Sequence, residues 1–427
     1  MSHYLNYEGK KINFSLPGGW HVISDKDEIP SVSGVKDVLK EVRSALDHPV
    51  GSLRIEEIAR PGMEVVVLFD DLMRPTPVPI ALPEVMDRLN LAGIPDEQIY
   101  GICAVGTHPM LDMQKLKTKV GEQAYRRLEG RISSHDCYAK DNVVIGRTGR
   151  GTLVEVNQKV AFADLIIGIG SCFPHPVSGF GGGCKILMPG VSSYRSVGEH
   201  HFTWMRHMNS RTNVLDGNYF YEEIVDAGRL ARLAFKMDFI PNEKGEICRI
   251  FAGDPVAEHR EASRYLASKY LVSLPKMADI TITSSFPQDT QAGKALHMVT
   301  SCTRQGGTII WLAPQKKASM LITLQEEIAN RESANDFYRR LVEGDIPDHL
   351  KALGISTMMQ VVFFKEWGEN FNIIHVTQGL SQEFVEKMGF AYASDLQQAI
   401  DQAAEKIPEA GVAVFPSGGN IIPEVTR

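Results

Sequence analysis

Short, continuously apolar runs recur along the chain, each followed by a turn and a helical pattern. This alternation constrains the fold more than any other feature. EVVVLFDD (64–71) precedes a helical pattern near 80–92, and QIYGICAVG (98–106) precedes one near 112–129. ADLIIGIG (163–170) runs into a glycine-rich stretch. ADITITSS (278–285), GGTIIWLAP (306–314), FNIIHVTQG (371–379) and VAVFPSG (412–418) follow, with helical patterns such as QAGKALHMVTSC and SANDFYRRLVEG between them. Strands apolar on both faces and separated by helices build largely parallel sheets covered by helices, so the chain is expected to be α/β. At 427 residues it exceeds one ordinary core, and two domains are expected. KMDFIPNEKGEICRIFAGD (236–254) breaks the pattern and reads as a hairpin turning at Asn242–Gly245. The helical EASRYLASKYL then leads to SLPK (273–276), where a boundary is placed. The expected units are an N-terminal α/β domain 1–270, a C-terminal α/β domain 276–405, and a segment 406–427 returning to the N-terminal domain. The active site is expected in the cleft between the domains.

Composition narrows the function classes. Hydrophobic residues make up 43% and charged residues 23%, as in a soluble globular protein. The net charge of −7 disfavours nucleic acid or an anionic membrane as partner. No apolar run is long enough to span a bilayer, and MSHYLNYEGKKINF lacks a signal-peptide core. The cysteines (103, 137, 172, 184, 248 and 302) show no CxxC and no disulfide-like spacing. That pattern fits a reducing cytoplasm, and a cytoplasmic location is expected.

Ligands of doubly wound sheets bind beyond the carboxyl ends of strands. Four such ends here present Asp71 with Arg74, then His108, then His175 with Lys185, then Gln291 with Lys294. Arg74 follows two aspartates and precedes Pro75 and Pro77, so it sits on a stiff turn, where a guanidinium suits capture of a carboxylate. The backbone N–H groups of 72–76, read as a helix start, are candidate phosphate donors. His108 and His175 are each candidates for acid–base work or for a structural role. Gln291 and Lys294 lie one helical turn apart and can point the same way.

GFGGGCK (179–185) resembles a phosphate-binding P-loop and fails it, because Cys184 and Ile186 replace the required glycine and Ser/Thr. GIGSCF is not GxGxxG, so an ordinary dinucleotide site has no support. Glycines let backbone approach something flat and leave Lys185 exposed to it, as a candidate covalent anchor. The alternative is a flexible loop with a solvated lysine. Cys184 is expected to be a packing residue or a bystander. GEHH (198–201) adds adjacent histidines, of which at most one is expected to ligate a given metal, with nickel suiting histidine plus sulfur. HEXXH and zinc-like spacings are absent, so a bound metal would draw most ligands from a cofactor.

DDLMRPTP (70–77), GTH (106–108), HD (135–136), PHPVSGFGGGCKILMPG (174–190), His201 and QAGK (291–294) together resemble the nickel-dependent lactate racemase family, in order and spacing. The resemblance implies a two-domain α/β layout with the cofactor on the first domain. It implies a nickel pincer nucleotide, a pyridinium mononucleotide whose thioamide arm is covalently attached to Lys185. Nickel would be held by two sulfurs, a ring carbon and His201, sixteen residues beyond the lysine. Asp71, Leu72, Met73 and Arg74 would contact the cofactor, with Asp71 orienting its groups.

The resemblance further implies racemisation or epimerisation at C2 of a small-molecule 2-hydroxy acid. The α-hydrogen leaves as hydride, and His108 and His175 are the acid and base on opposite faces. Arg74, Gln291 and Lys294 would bind the substrate. Accessory enzymes that make the cofactor are implied partners. Two other readings are an oxidoreductase that releases the keto acid and a non-catalytic cofactor-binding protein. The chain departs from the family in GFGGGCK, where many relatives have serine and proline at two positions, and at Thr290, where a tyrosine is found. Trp367 is read as a core residue, with a pocket cover as the other option.

Overall fold

The computed structural model describes residues 2–24, 32–315, 319–330, 332–351 and 353–426. Two six-stranded sheets carry the α/β architecture. In the first the order is Ile247–Gly253, Leu233–Pro241, Leu165–Ser171, Val65–Phe69, Ile99–Cys103, Ile132–Ser134. All neighbours are parallel except the first pair, which is the expected hairpin. Val65–Phe69 and Leu165–Ser171 are buried at every residue, which explains their unbroken apolar sequence. Chain order reverses between these two strands, and the crevice beyond such a reversal is where ligands bind.

The second sheet runs Ala391–Ala393, Asn372–Val376, Thr303–Leu312, Ala278–Ser284, Ala410–Phe415, Trp20–Val22, with every pair parallel. Two strands lie across the expected bounds, while Ile422 of the last segment packs among Cys172, Phe180 and Ile240 of the first half. Trp20–Val22 pairs with Ala410–Phe415 in the second sheet, and Ile422–Val425 pairs with Leu271–Leu274. The physical reason is burial: every residue of Ala410–Phe415 is enclosed, so that apolar strand sits inside a sheet with a neighbour on each side.

One hydrophobic cluster joins the two halves. It runs from Val66 and Leu68 of the first sheet to Ile309 and Trp311 of the second, through Phe364 and Trp367 of the Ile355–Asn370 helix. That helix starts against the loop bearing His108: a side chain at Gly354 would meet the Thr107 carbonyl at 2.5 Å. The second half is thereby seated over the strand ends of the first. No helix among the described residues is long and apolar enough to cross a membrane.

Candidate active site

Loops beyond Val65–Phe69, Ile99–Cys103 and Leu165–Ser171 line one cavity with the start of the Ile355–Asn370 helix. Asp71, Arg74, His108, His175 and Lys185 line it, and Ser356 reaches in from the second half.

Asp71 begins a tight turn. Its Oδ1 accepts the Met73 N–H at 2.9 Å, and its carbonyl accepts the Arg74 N–H at 3.2 Å. The next helix starts only at Val78. The segment 72–76 is therefore a turn rather than a helix start, and the Met73 and Arg74 amides are already engaged within it. Leu72 and Met73 project outward, 44% and 50% exposed. The other Asp71 oxygen, Oδ2, lies 3.0 Å from His108 Nδ1. Burial pushes the Asp71 carboxyl up, but the His108 hydrogen bond and the Arg74 charge outweigh it and hold the group below the usual range. A carboxylate only accepts, so His108 presents Nδ1–H to Asp71, and in the neutral ring the lone pair is on Nε2. Asp71, expected to orient the cofactor, is turned to His108.

His175 is wired the opposite way. Pro174–His175 pairs antiparallel with Gly179–Phe180 in a tight hairpin. Gly179 closes it with φ of +77° and packs on the Val214 carbonyl, where a side chain has no room. Inside the turn the N–H groups of Val177 and Ser178 both donate to His175 Nδ1, each at 3.2 Å. Nδ1 is then an acceptor and the proton sits on Nε2. Burial, followed by the charges of Lys185, Lys294 and Arg74, pushes His175 well below the usual histidine range. It is a neutral ring that donates through Nε2.

Lys185 follows on the single turn Gly183–Ile186. Its Nζ donates to Ser178 Oγ at 3.2 Å and lies 5.4 Å from the centre of the Phe220 ring. Burial, and then the Arg74 charge, lower the amine to about 7. A lysine partly neutral near pH 7 is a competent nucleophile.

The glycine run owes its composition to packing. A side chain at Gly182 would strike the Asp238 carboxylate at 2.4 Å, and one at Gly183 the His259 ring at 2.7 Å. The Gly183 N–H donates to Asp238 Oδ2 at 2.6 Å, and His259 Nε2 donates to the Gly181 carbonyl at 3.0 Å. Asp238 is ion-paired with Lys236, and neither has exposed surface. Removing one partner of such a pair would leave a buried charge at a cost of roughly 3–5 kcal/mol. The loop under the lysine is thus pinned from below by groups the sequence reading did not select. A weak signal existed: Lys236 and Asp238 are two apart in an otherwise apolar strand and so share a face. Cys184 is a packing residue. Its thiol is buried and pushed up to about 12, and it touches Gly228, where a side chain would lie 2.6 Å from the sulfur.

Arg74, Gln291 and Lys294 do converge. Arg74 Nη1 donates to Gln291 Oε1 at 3.4 Å. Arg74 and Lys294 both stand over the Phe173 ring, at 4.9 and 5.1 Å from its centre. Burial, then Arg74 and Lys185, push the Lys294 amine far down. An anion between Arg74 and Lys294 would offset their mutual repulsion and favour the charged form of Lys294. The sequence reading missed Phe173, and it missed His297, one turn past Lys294. His297 packs on Phe363 and Trp367, 4.5 and 5.3 Å between ring centres, and burial lowers it to about 4. Trp367 is a core residue, 3% exposed. The side chain of Thr290 lies outside the described residues. His135 is structural, its Nε2 donating to the Ser192 carbonyl at 2.9 Å.

His200 and His201 lie on the Tyr194–Trp204 helix, both buried. Their Nδ1 atoms are 3.1 Å apart, and His200 Nε2 is 2.9 Å from the Phe220 carbonyl. Among the described residues no group of three or more His, Cys, Asp or Glu is placed to hold a metal ion.

Residues 7–213 match the family model of the lactate racemase N-terminal domain, and residues 274–423 match that of the lactate racemase C-terminal domain. The chain is 28% identical over 399 residues to the lactate racemase of Lactiplantibacillus plantarum, covering 89% of this chain and 90% of that one. It is 27% identical over 398 residues to the lactate racemase of Thermoanaerobacterium thermosaccharolyticum, 89% of each. The fold superposes on the lactate racemase apoprotein from the latter organism with a TM-score of 0.83 at 24% identity, covering 99% of this chain and 100% of that one. A protein from Thermotoga maritima matches with a TM-score of 0.61 at 16% identity, covering 91% and 98%.

Proposed function

We propose a function from one premise: the chain belongs to the lactate racemase family. Membership supports a racemase. The finer reading is inversion of C2 of a 2-hydroxy acid, with a nickel pincer nucleotide attached to Lys185. The residues fit that group. It brings most of its own metal ligands and needs from the protein one amine and one neutral imidazole. Lys185 is a half-buried amine lowered to about 7, and burial holds His201 well below the usual histidine range. Both approach the Phe220 ring, at 5.4 and 5.0 Å from its centre. When bound, the cofactor supplies an acceptor and donor for the hydride at C2.

The chain's own residues do the rest. Arg74 and Lys294 hold the substrate carboxylate, and Gln291 hydrogen-bonds the substrate. His108 Nε2 accepts the hydroxyl proton, and Asp71 stabilises the imidazolium that results. His175 Nε2–H donates to the substrate oxygen from its own side. For His175 to serve in turn as the charged acid, its Nδ1 must exchange the Val177 and Ser178 amides for a proton. The observation that carries the reading is the Asp71–His108 pair at 3.0 Å in a cavity that Lys185 and His175 also line.

The test is intact mass with metal analysis of protein co-expressed with the cofactor-making enzymes, then incubation with enantiopure 2-hydroxy acids. A mass increment mapping to Lys185, nickel in the protein, and loss of optical purity are expected. No adduct and no nickel, under conditions that load a known lactate racemase, would remove the tether.

A further inference from the structure

The adjacent histidines, of which sequence selects only one, form a chain whose proton positions follow from geometry. The Phe220 carbonyl can only accept, so His200 Nε2, at 2.9 Å, carries a hydrogen. Among the described residues neither ring has a carboxylate partner, and both rings are buried, with 0% and 3% of their surface exposed. A neutral His200 with hydrogen on Nε2 has a bare Nδ1. That atom lies 3.1 Å from His201 Nδ1, which must then be the donor. His201 is left with its hydrogen on Nδ1 and its lone pair on Nε2.

We propose that His200 is a positioning residue that fixes the tautomer and ring orientation of His201, so that His201 Nε2 is the atom presented to the metal. Metal-binding histidines commonly donate their other N–H to a fixed acceptor, and here His201 meets an imidazole itself held by a backbone carbonyl, with the Val197 carbonyl one turn back as a weaker second acceptor. The Phe220 ring reinforces the arrangement, 4.3 Å from the His200 ring and 5.0 Å from the His201 ring. The inference rests on the proposed function only in naming His201 as the ligand.

Two variants of the co-expressed protein test it, read by nickel per Lys185 adduct from metal analysis and intact mass. His200→Leu removes the acceptor, and nickel affinity is expected to fall roughly 10–100-fold while the adduct remains. His200→Gln keeps an acceptor for His201 and a donor for Phe220, and is expected to restore most of the nickel. Equal nickel retention in His200→Leu and wild type would overturn the proposal. Should His200→Leu fail to fold, the imidazole nitrogen resonances of wild-type apoprotein decide: hydrogen on His201 Nδ1 is expected, and hydrogen on Nε2 overturns the inference. Absence of any adduct in wild type would count against the proposed cofactor, while the apoprotein spectrum would still judge His200.

Discussion

His108 and His175 follow the two strands that flank Val65–Phe69, and they face the same cavity. Their surroundings are opposite. His108 has a carboxylate at Nδ1, 3.0 Å away, and becomes a ring ready to accept a proton at Nε2. His175 has two amide hydrogens at Nδ1 and cations nearby, and becomes a ring that donates. Burial first, and then the charges of Lys185, Lys294 and Arg74, oppose a charged His175. The lesson is that two histidines in equivalent topological positions are made inequivalent by what meets Nδ1. A racemase must work from both faces, and this one starts asymmetric.

The largest test of that contrast removes each ring. In cofactor-loaded protein, His108→Ala and His175→Ala should each lose roughly 10²–10⁴-fold in racemisation while retaining the Lys185 adduct by intact mass. Normal turnover by either variant would break the two-sided assignment. A smaller effect isolates the carboxylate. Asp71→Asn can still touch His108 but no longer supports a charged ring, and should lower kcat about 100-fold with nickel content unchanged. An unchanged kcat would leave Asp71 with only its turn-forming bond to Met73. The smallest effect sharpens the other side. Lys185→Met in the apoprotein removes the strongest of the charges acting on His175, so its imidazole should stay protonated to a higher pH than in wild type, followed by NMR titration. An unmoved titration would mean that burial and the two amides, rather than the Lys185 charge, keep that ring neutral.

Much of the fold was legible because parallel strands buried on both faces must be apolar throughout. EVVVLFDD, ADLIIGIG and ADITITSS are therefore visible without any partner information. The convergence of Arg74, His108, His175, Lys185 and Gln291 was legible for a related reason: each follows a strand, and strand ends share a crevice. What stayed hidden depends on long-range pairing. Nothing local says that Trp20–Val22 lies beside Ala410–Phe415, or that Asp238 and His259 reach the glycine run from a hairpin and a helix far along the chain. The proton positions were equally invisible. Asp71 could be placed near the site from its spacing, but its bond to His108 depends on the turn it forms with Met73.

The first sheet draws all its strands from one continuous stretch, residues 65–253. The second cannot close until residues 410–415 slot between the Ala278–Ser284 strand and Trp20–Val22. During synthesis the first sheet can therefore assemble as soon as its own stretch leaves the ribosome. The opening strand has to wait, its edge unpaired, for a neighbour translated almost four hundred residues later. At about 5–20 residues per second that wait lasts roughly 20–80 seconds. Late translation, rather than any step in the first sheet, is the interval in which this protein is exposed to mispairing.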